Sequence, residues 1–164
     1  VVIGLRLLVT QPGGKHVVFR LQDFNRALVE SRDKLGVDET PTEIRVKFGA
    51  EVLFDTGKYE LKPAATTALT QLAALLRSYP GFPIVIEGHT DSQGTPPSNQ
   101  TLSQNRALAV KTWLVQKGNV PDGCLITAGF GQTRPIAPNS TAAGRQKNRR
   151  VEVRLLKDTA PPKK

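Results

Sequence analysis

Apolar and polar residues recur in well-separated stretches, each with the period of a definite element. Residues 1–10 are rich in valine, isoleucine and leucine, Gln11-Pro12-Gly13-Gly14-Lys15 is a turn signal, and 17–21 form a second apolar run, so the N-terminus reads as a β-hairpin. Phe24, Ala27, Leu28, Ser31 and Leu35 then fall at three- and four-residue spacings between an N-cap, Asp23, and a stop, Gly36, which predicts a helix. A linker over 36–41 follows. Ile44, Val46 and Phe48 alternate with Arg45 and Lys47, the period of a half-buried strand. Pro63 opens a helical run in which Ala65, Leu69, Leu72 and Leu76 share one face. Ile84-Val85-Ile86 is a continuous apolar run, expected as a strand covered on both faces. A polar loop over 88–98, a helix over 102–117, a strand over 125–128 and a strictly alternating strand over 151–156 complete the chain. The order strand, helix, strand, helix, strand, strand predicts an α/β fold, a two-layer sandwich (βαβαββ) with a mixed sheet and helices on one face. Three parts are expected: residues 1–40 as a hairpin-plus-helix extension, 41–157 as the main domain, and 158–164 as a disordered tail.

Composition narrows the function. With 164 residues, 38% hydrophobic and 23% charged, the chain is a globular protein of one main domain. No stretch approaches the length of apolar residues that crosses a membrane as a helix. The chain starts at Val1 and contains no methionine, so a processed or truncated product is expected, with any signal peptide or lipid-anchor cysteine upstream of Val1. Cys124 is the single cysteine, which excludes an internal disulfide; it is expected as a small buried hydrophobe at a strand start. Of the net charge of +9, residues 121–164 supply most, with 9 basic and 3 acidic groups. A basic end suits an acidic lipid or an acidic polymer such as a cell-wall glycan, with a plain solvated surface as the default from charge alone, whereas aromatics at 5% and the lack of a basic helix with interleaved stacking residues argue against nucleic acid.

Candidate chemistry centres on the second long helix. Laid out at about 100° per residue from Leu102, its apolar stripe of Leu102, Ala109, Val110, Trp113 and Leu114 is centred near about 40°, where Arg106 also falls. Trp113 therefore reads as core. A guanidinium in an apolar stripe needs a counter-charge, and the nearest carboxylate is Asp91, in the loop before this helix. Asn99 and Ser103 lie along the same edge. Such a crevice, beyond the carboxyl ends of the strands, is where α/β sheets bind ligands. An aspartate and an arginine there either hold a zwitterion, ammonium on the one and carboxylate on the other, or pair only with each other. Arg149, on the apolar face of the last strand, either caps the same crevice or reaches out to water, the second being the default.

Several motifs now stand in order: Val52-Leu53-Phe54-Asp55-Thr56-Gly57, Glu87-Gly88-His89-Thr90-Asp91-Ser92-Gln93-Gly94, Asn99-Gln100-Thr101-Leu102-Ser103-Gln104-Asn105-Arg106-Ala107, Gly129-Phe130-Gly131 with Pro135, and Gly144-Arg145-Gln146-Lys147-Asn148-Arg149-Arg150-Val151. Over about residues 44–156 this resembles the OmpA-like C-terminal domain family, the peptidoglycan-binding module found in outer membrane protein A, the peptidoglycan-associated lipoprotein and the flagellar stator protein MotB. The resemblance implies a non-catalytic module that binds the diaminopimelate of the peptidoglycan stem peptide and tethers an envelope protein or the outer membrane to the wall. It assigns the central roles to Asp91 and Arg106 and places Thr90, Asn99 and Arg149 in the same pocket. It implies no cofactor and no metal, and a periplasmic location with an outer-membrane anchor upstream of Val1. Ser98 departs from the aromatic or large apolar residue usual in the family, and Pro96-Pro97 stiffens the preceding loop, so the pocket rim is expected to differ. Residues 1–40 lie outside the resemblance; a role in dimerisation or in holding an envelope partner stays open.

Two enzymatic readings compete. Leu53-Phe54-Asp55-Thr56-Gly57 matches the Asp-Thr-Gly signature of aspartic proteases, which need two aspartates sharing a proton and an all-β setting. The helix starting at Pro63 argues instead for a turn in which Asp55 ties the backbone and Gly57 permits a positive φ. His89, Asp91, Ser92 and Ser103 suggest a hydrolytic set, but the chain has no Gly-x-Ser-x-Gly elbow. His16 is the only other histidine, which excludes a multi-histidine zinc site. His89 is expected as a hydrogen-bonded structural residue at a strand end.

Overall fold

Strands β1 (Arg6–Thr10) and β2 (His16–Arg20) pair antiparallel, with Arg6 opposite Arg20 and Thr10 opposite His16, in a computed structural model that describes residues 6–10, 16–20 and 35–157. The hairpin expected from the apolar runs is present. The helix expected from Asp23 lies, up to residue 34, outside the described residues, as does the tail 158–164.

A five-stranded mixed sheet forms the rest, in the order β3 (Val37–Glu39), β4 (Glu43–Gly49), β7 (Arg150–Leu156), β5 (Ile84–His89) and β6 (Leu125–Gly129). Only β5 and β6 run parallel; the other neighbours are antiparallel. Ile44, Val46 and Phe48 of β4, Val151, Val153 and Leu155 of β7, and Ile84 and Ile86 of β5 are all buried. Two helices cover this face, α2 (Ala65–Arg77) with Leu69, Leu72 and Leu76, and α3 (Pro96–Gln116) with Val110 and Leu114. The α/β sandwich predicted from the pattern is therefore the observed architecture.

The structure corrects the expected elements at several points. Residues 37–39, placed in a linker, pair with β4 as the edge strand β3 after Gly36 turns with φ 62°. Two short helices were not expected, α1 (Ala50–Leu53) and α4 (Ala142–Asn148). The second long helix starts at Pro96, not at 102: Thr95 caps it by accepting from the Ser98 amide, and the two prolines occupy the first helical positions, where missing N–H groups cost nothing. Pro96-Pro97 thus begins a helix and does not stiffen a loop. Cys124 is half-buried in a single 3-10 turn (Asp122–Cys124) before β6. Trp113 is half-buried and packs against the core from its edge.

The face of the sheet away from the helices is polar, so β5 is not apolar on both sides. Glu87 lies opposite Glu152 across β5 and β7, and Arg45 opposite Arg154 across β4 and β7. Like charges directly across a ladder repel. Here each pair is interleaved with the opposite sign: Glu43 accepts from Arg45 Nη2 and Arg154 Nε at 2.9 Å each, and Glu152 accepts from Arg150 Nε at 3.2 Å.

Candidate functional site

The carboxyl end of β5 leads straight into the candidate crevice. His89 closes the strand, the Thr90 amide donates to the Gly131 carbonyl at 2.8 Å, and Asp91 follows. The Asp91 carboxylate is almost fully buried. Its Oδ1 accepts from the Gln93 amide at 3.0 Å and its Oδ2 from Arg149 Nη1 at 2.7 Å. The backbone around it is tied as well: the Asp91 carbonyl accepts from Thr90 Oγ1 at 2.8 Å and from Asn99 Nδ2 at 3.3 Å. Asn99 Nδ2 is shared further with the Gln93 carbonyl at 2.9 Å and Gln132 Oε1 at 3.0 Å. Thr90 and Asn99 thus act by fixing the loop that carries Asp91.

The counter-charge of Asp91 is Arg149, not Arg106. Arg149 ends α4, its carbonyl accepting from the Ala50 amide at 2.9 Å, and its side chain is 39% exposed, leaning over the crevice. The expectation that it would simply reach water fails because Asp91 lies within reach. Asn148, fully buried, sets this position: its Oδ1 accepts from the Ile136 and Ala137 amides at 2.8 and 3.0 Å and its Nδ2 donates to the Ala137 carbonyl at 2.8 Å. Sequence reasoning passed over Asn148; only its place in the Asn-Arg-Arg motif marked it.

Arg106 is buried, and among the described residues it forms no ion pair. Its Nε donates to the Lys58 carbonyl at 2.8 Å and its guanidinium lies 5.0 Å from the centre of the Phe54 ring. Burial and the neighbouring Arg149 lower its pKa from the ordinary arginine value, while Asp91 acts in the opposite sense. The buried face of α3 carries Asn99, Ser103, Arg106, Ala107, Val110 and Leu114, which on the same projection centres near about 90°. Arg106 therefore sits at the edge of the buried stripe, with Nε engaged and the two terminal nitrogens turned toward the crevice. Phe54 and the Lys58 carbonyl, which hold it, were not anticipated; the apolar run before Asp55 was the available signal for Phe54.

The crevice has a volume of about 430 Å³ and is lined by Phe54, Asp91, Asn99, Arg106, Gln146 and Arg149, among others. Asp55-Thr56-Gly57 forms its rim as the expected turn, with Gly57 at φ 70° and the Lys58 amide donating to the Asp55 carbonyl at 3.0 Å. Asp55 is exposed. All five residues singled out from the sequence, Thr90, Asp91, Asn99, Arg106 and Arg149, line this one space.

The model of the OmpA family matches residues 53–149. The chain belongs to the OmpA family. This OmpA-family chain is 42% identical over 116 residues to outer membrane protein A of Bordetella avium, covering 71% of this chain and 59% of that protein. It is 40% identical over 129 residues to the probable lipoprotein YiaD of Escherichia coli, covering 76% and 58%. The chain thus spans less than two thirds of the length of these curated relatives. Among solved structures it resembles the cell wall anchor of the type VI secretion system of Pseudomonas aeruginosa, with a TM-score of 0.70, 28% identity, and coverage of 84% of this chain and 96% of that one. The peptidoglycan-associated lipoprotein of Burkholderia pseudomallei matches with a TM-score of 0.56 and 33% identity over 64% of this chain and 86% of its own.

His89 departs from its expected role. Its ring is buried and stacked on Phe130, with centroids 5.4 Å apart, but neither ring nitrogen has a hydrogen-bond partner among the described residues. Burial, and next Arg150, lower its pKa from 6.5 to about 4. The folded state therefore favours the neutral ring, and stability present above pH 6.5 is lost as the pH falls toward 4. Urea unfolding is expected to show about 2 kcal/mol less stability from this group at pH 5 than at pH 7. In His89→Gln that part of the pH dependence disappears; an unchanged slope in the variant would contradict the assignment.

Proposed function

We propose that this domain binds bacterial peptidoglycan without catalysing a reaction, holding the diaminopimelate of the stem peptide in the crevice between Asp91 and Arg106. The observation that carries this reading is the division of labour between the two arginines. Arg149 neutralises and orients Asp91, while Arg106, buried and without an ion pair among the described residues, keeps its two terminal nitrogens for an incoming anion. Diaminopimelate in a stem peptide carries a free amino-acid end, an ammonium and a carboxylate on one carbon. The ammonium suits the Asp91 carboxylate and the carboxylate suits the Arg106 fork, a charge-assisted and planar match. Two similar proteins carry wall association in their names, the cell wall anchor and the peptidoglycan-associated lipoprotein, which supports the same reading here. The domain then works in the periplasm, tethering an envelope protein to the wall, and the basic residues of 121–164 add attraction to an acidic polymer.

Co-sedimentation with purified diaminopimelate-type peptidoglycan tests the proposal. The full chain is expected to pellet, and a folded Arg106→Ala variant to stay in the supernatant; a chain that stays soluble at moderate salt contradicts it. A wall-active enzyme built on Asp55 would need a second carboxylate sharing its proton, and Asp91, the other aspartate lining the crevice, is committed to Arg149. Accordingly Asp55→Asn is expected to pellet within about twofold of the parent, since an exposed rim side chain contributes little. Release of soluble wall fragments by the parent and not by the variant would favour the enzyme.

A further inference from the structure

At the amino end of β5, opposite the crevice, two turns enclose an apolar groove. One turn follows α2, where Gly81 with φ 86° carries the chain from Pro80 to Phe82; the other follows α3 and leads through Pro121 to Cys124. Arg77 ties the two by donating to the Gly118 carbonyl. Tyr79, Pro80, Phe82, Val120, Pro121 and Cys124 line a space of about 270 Å³ between them. Tyr79 and Phe82 are half-buried and pack against the core from its edge while lining the groove. Pockets for compact small molecules run from about 300 to 1,000 Å³ and hold a few convergent polar groups. A smaller groove walled by two aromatic rings and two prolines suits an extended, proline-rich segment better.

The chain carries such a segment beside the groove. β7 ends at Leu156, whose amide donates to the Pro83 carbonyl at 2.9 Å, and Pro83 stands between Phe82 and Ile84, both in the groove wall. Asp158-Thr159-Ala160-Pro161-Pro162-Lys163-Lys164 follows. Proline fixes φ and pushes the residue before it into extended backbone, so Ala160-Pro161-Pro162 is set for a polyproline II course at little cost in entropy. At about 3.1 Å per residue, Pro161 reaches about 12 Å from Lys157. That exceeds the two strand spacings of about 4.8 Å that separate β7 from β6 across β5, and so covers the width of the groove.

We propose that residues 158–164 dock in this groove as a strap, with Pro161 and Pro162 against Tyr79 and Phe82, in place of the disordered tail expected from the sequence. The segment before β3 is less well placed for it: it leads in at Val37, which pairs with Val46 midway along β4, three strands from β5. Charge fits the same course. Asp122 follows Pro121 at the far side of the groove; its side chain is 70% exposed and meets Lys111 at 3.3 Å, so Lys163 and Lys164 bring it further cations. Groove and crevice lie at opposite ends of β5, so the strap leaves wall binding untouched.

Cys124, the single cysteine, is half-buried in the groove wall and reports on the strap. The test is the rate of its alkylation by iodoacetamide, a neutral reagent, in the full chain and in the full chain with Pro161→Gly and Pro162→Gly. A short tethered segment has an effective concentration of a few mM; against a Kd of about 1 mM it is docked about three quarters of the time. Alkylation is therefore expected to be about fourfold faster in the double variant, with wall pelleting unchanged. A synthetic peptide of residues 158–164, added at millimolar concentration, is expected to restore the slow rate saturably, and the same peptide with glycine for both prolines is not. Equal rates in parent and variant would overturn the proposal, as would restoration by both peptides alike, which would show charge attraction alone. Protection that grows with protein concentration would place a second copy in the groove and overturn it too.

Discussion

Gly88→Ala is expected to destabilise the domain by about 3 kcal/mol or more, at the upper end of overpacking penalties. Gly88 is the next-to-last residue of β5, and a Cβ there would meet the Ser103 carbonyl oxygen at 2.1 Å, its carbon at 2.8 Å and its Cα at 3.1 Å. All three are backbone atoms of α3, so relief requires moving the helix, not a side chain. The same approach brings Ser103 Oγ within 2.9 Å of the Gly131 amide and sets Asn99 and Arg106, on the same helix, against the loop of Asp91. A variant that still folds is therefore expected to lose wall binding as well. Gly123→Ala is the control: a Cβ there meets nothing within 4 Å, and the change is expected to stay within about 0.5 kcal/mol. Urea unfolding of both variants checks the pair, and equal midpoints would contradict the close approach of helix and strand.

Asp91→Ala is expected to lower affinity for diaminopimelate-type wall at least about a hundredfold, in line with truncating one partner of a buried hydrogen-bonded charge pair. The loss has two sources. The ligand ammonium loses its acceptor, and Arg149 and Arg106 are left facing one crevice with no anion between them. Asp91→Asn separates these effects, because the amide keeps an oxygen for the Gln93 N–H while removing the charge. It too is expected to lose most of the affinity. A double-mutant cycle with Arg149→Ala, read by co-sedimentation, is expected to be strongly non-additive, since Arg149 acts through Asp91; additive losses would show that the two contribute separately.

Period and pattern made most of the fold legible. Alternation in β4 and β7 and the apolar stripe of α2 each carry their own burial, so the sandwich follows from local information. Elements held by tertiary contact were not legible. β3 is three residues long and exists because β4 offers an edge, and α1 packs its first amide on the Arg149 carbonyl from the far end of the chain. The membership of the site was legible and its wiring was not. Arg106 drew attention because a charge fell within an apolar stripe, but that stripe counted Leu102, Ala109 and Trp113, which are only half-buried, and left out Ser103 and Ala107, which are buried, so it misplaced the centre of the buried face. The partner of Asp91 lies 58 residues away, at the end of a helix too short to show a period, and no spacing rule connects the two. His89 shows the same limit in reverse: its burial at a strand end was legible, and its lack of hydrogen bonds depends on which arginines and glutamates the sheet brings around it.

The central claim is that the crevice recognises a zwitterion, with Asp91 and Arg106 each taking one charge. Co-sedimentation of the full chain with two walls tests it most directly, one with diaminopimelate at the third stem position and one with lysine there. Uncrosslinked lysine presents the ammonium without the carboxylate, so Arg106 has nothing to bind. The account predicts saturable pelleting with diaminopimelate-type wall and at least about tenfold weaker binding to lysine-type wall, the cost of losing one charge-assisted pair. Equal pelleting with both walls, at a salt concentration that suppresses nonspecific attraction to the basic surface, would contradict it.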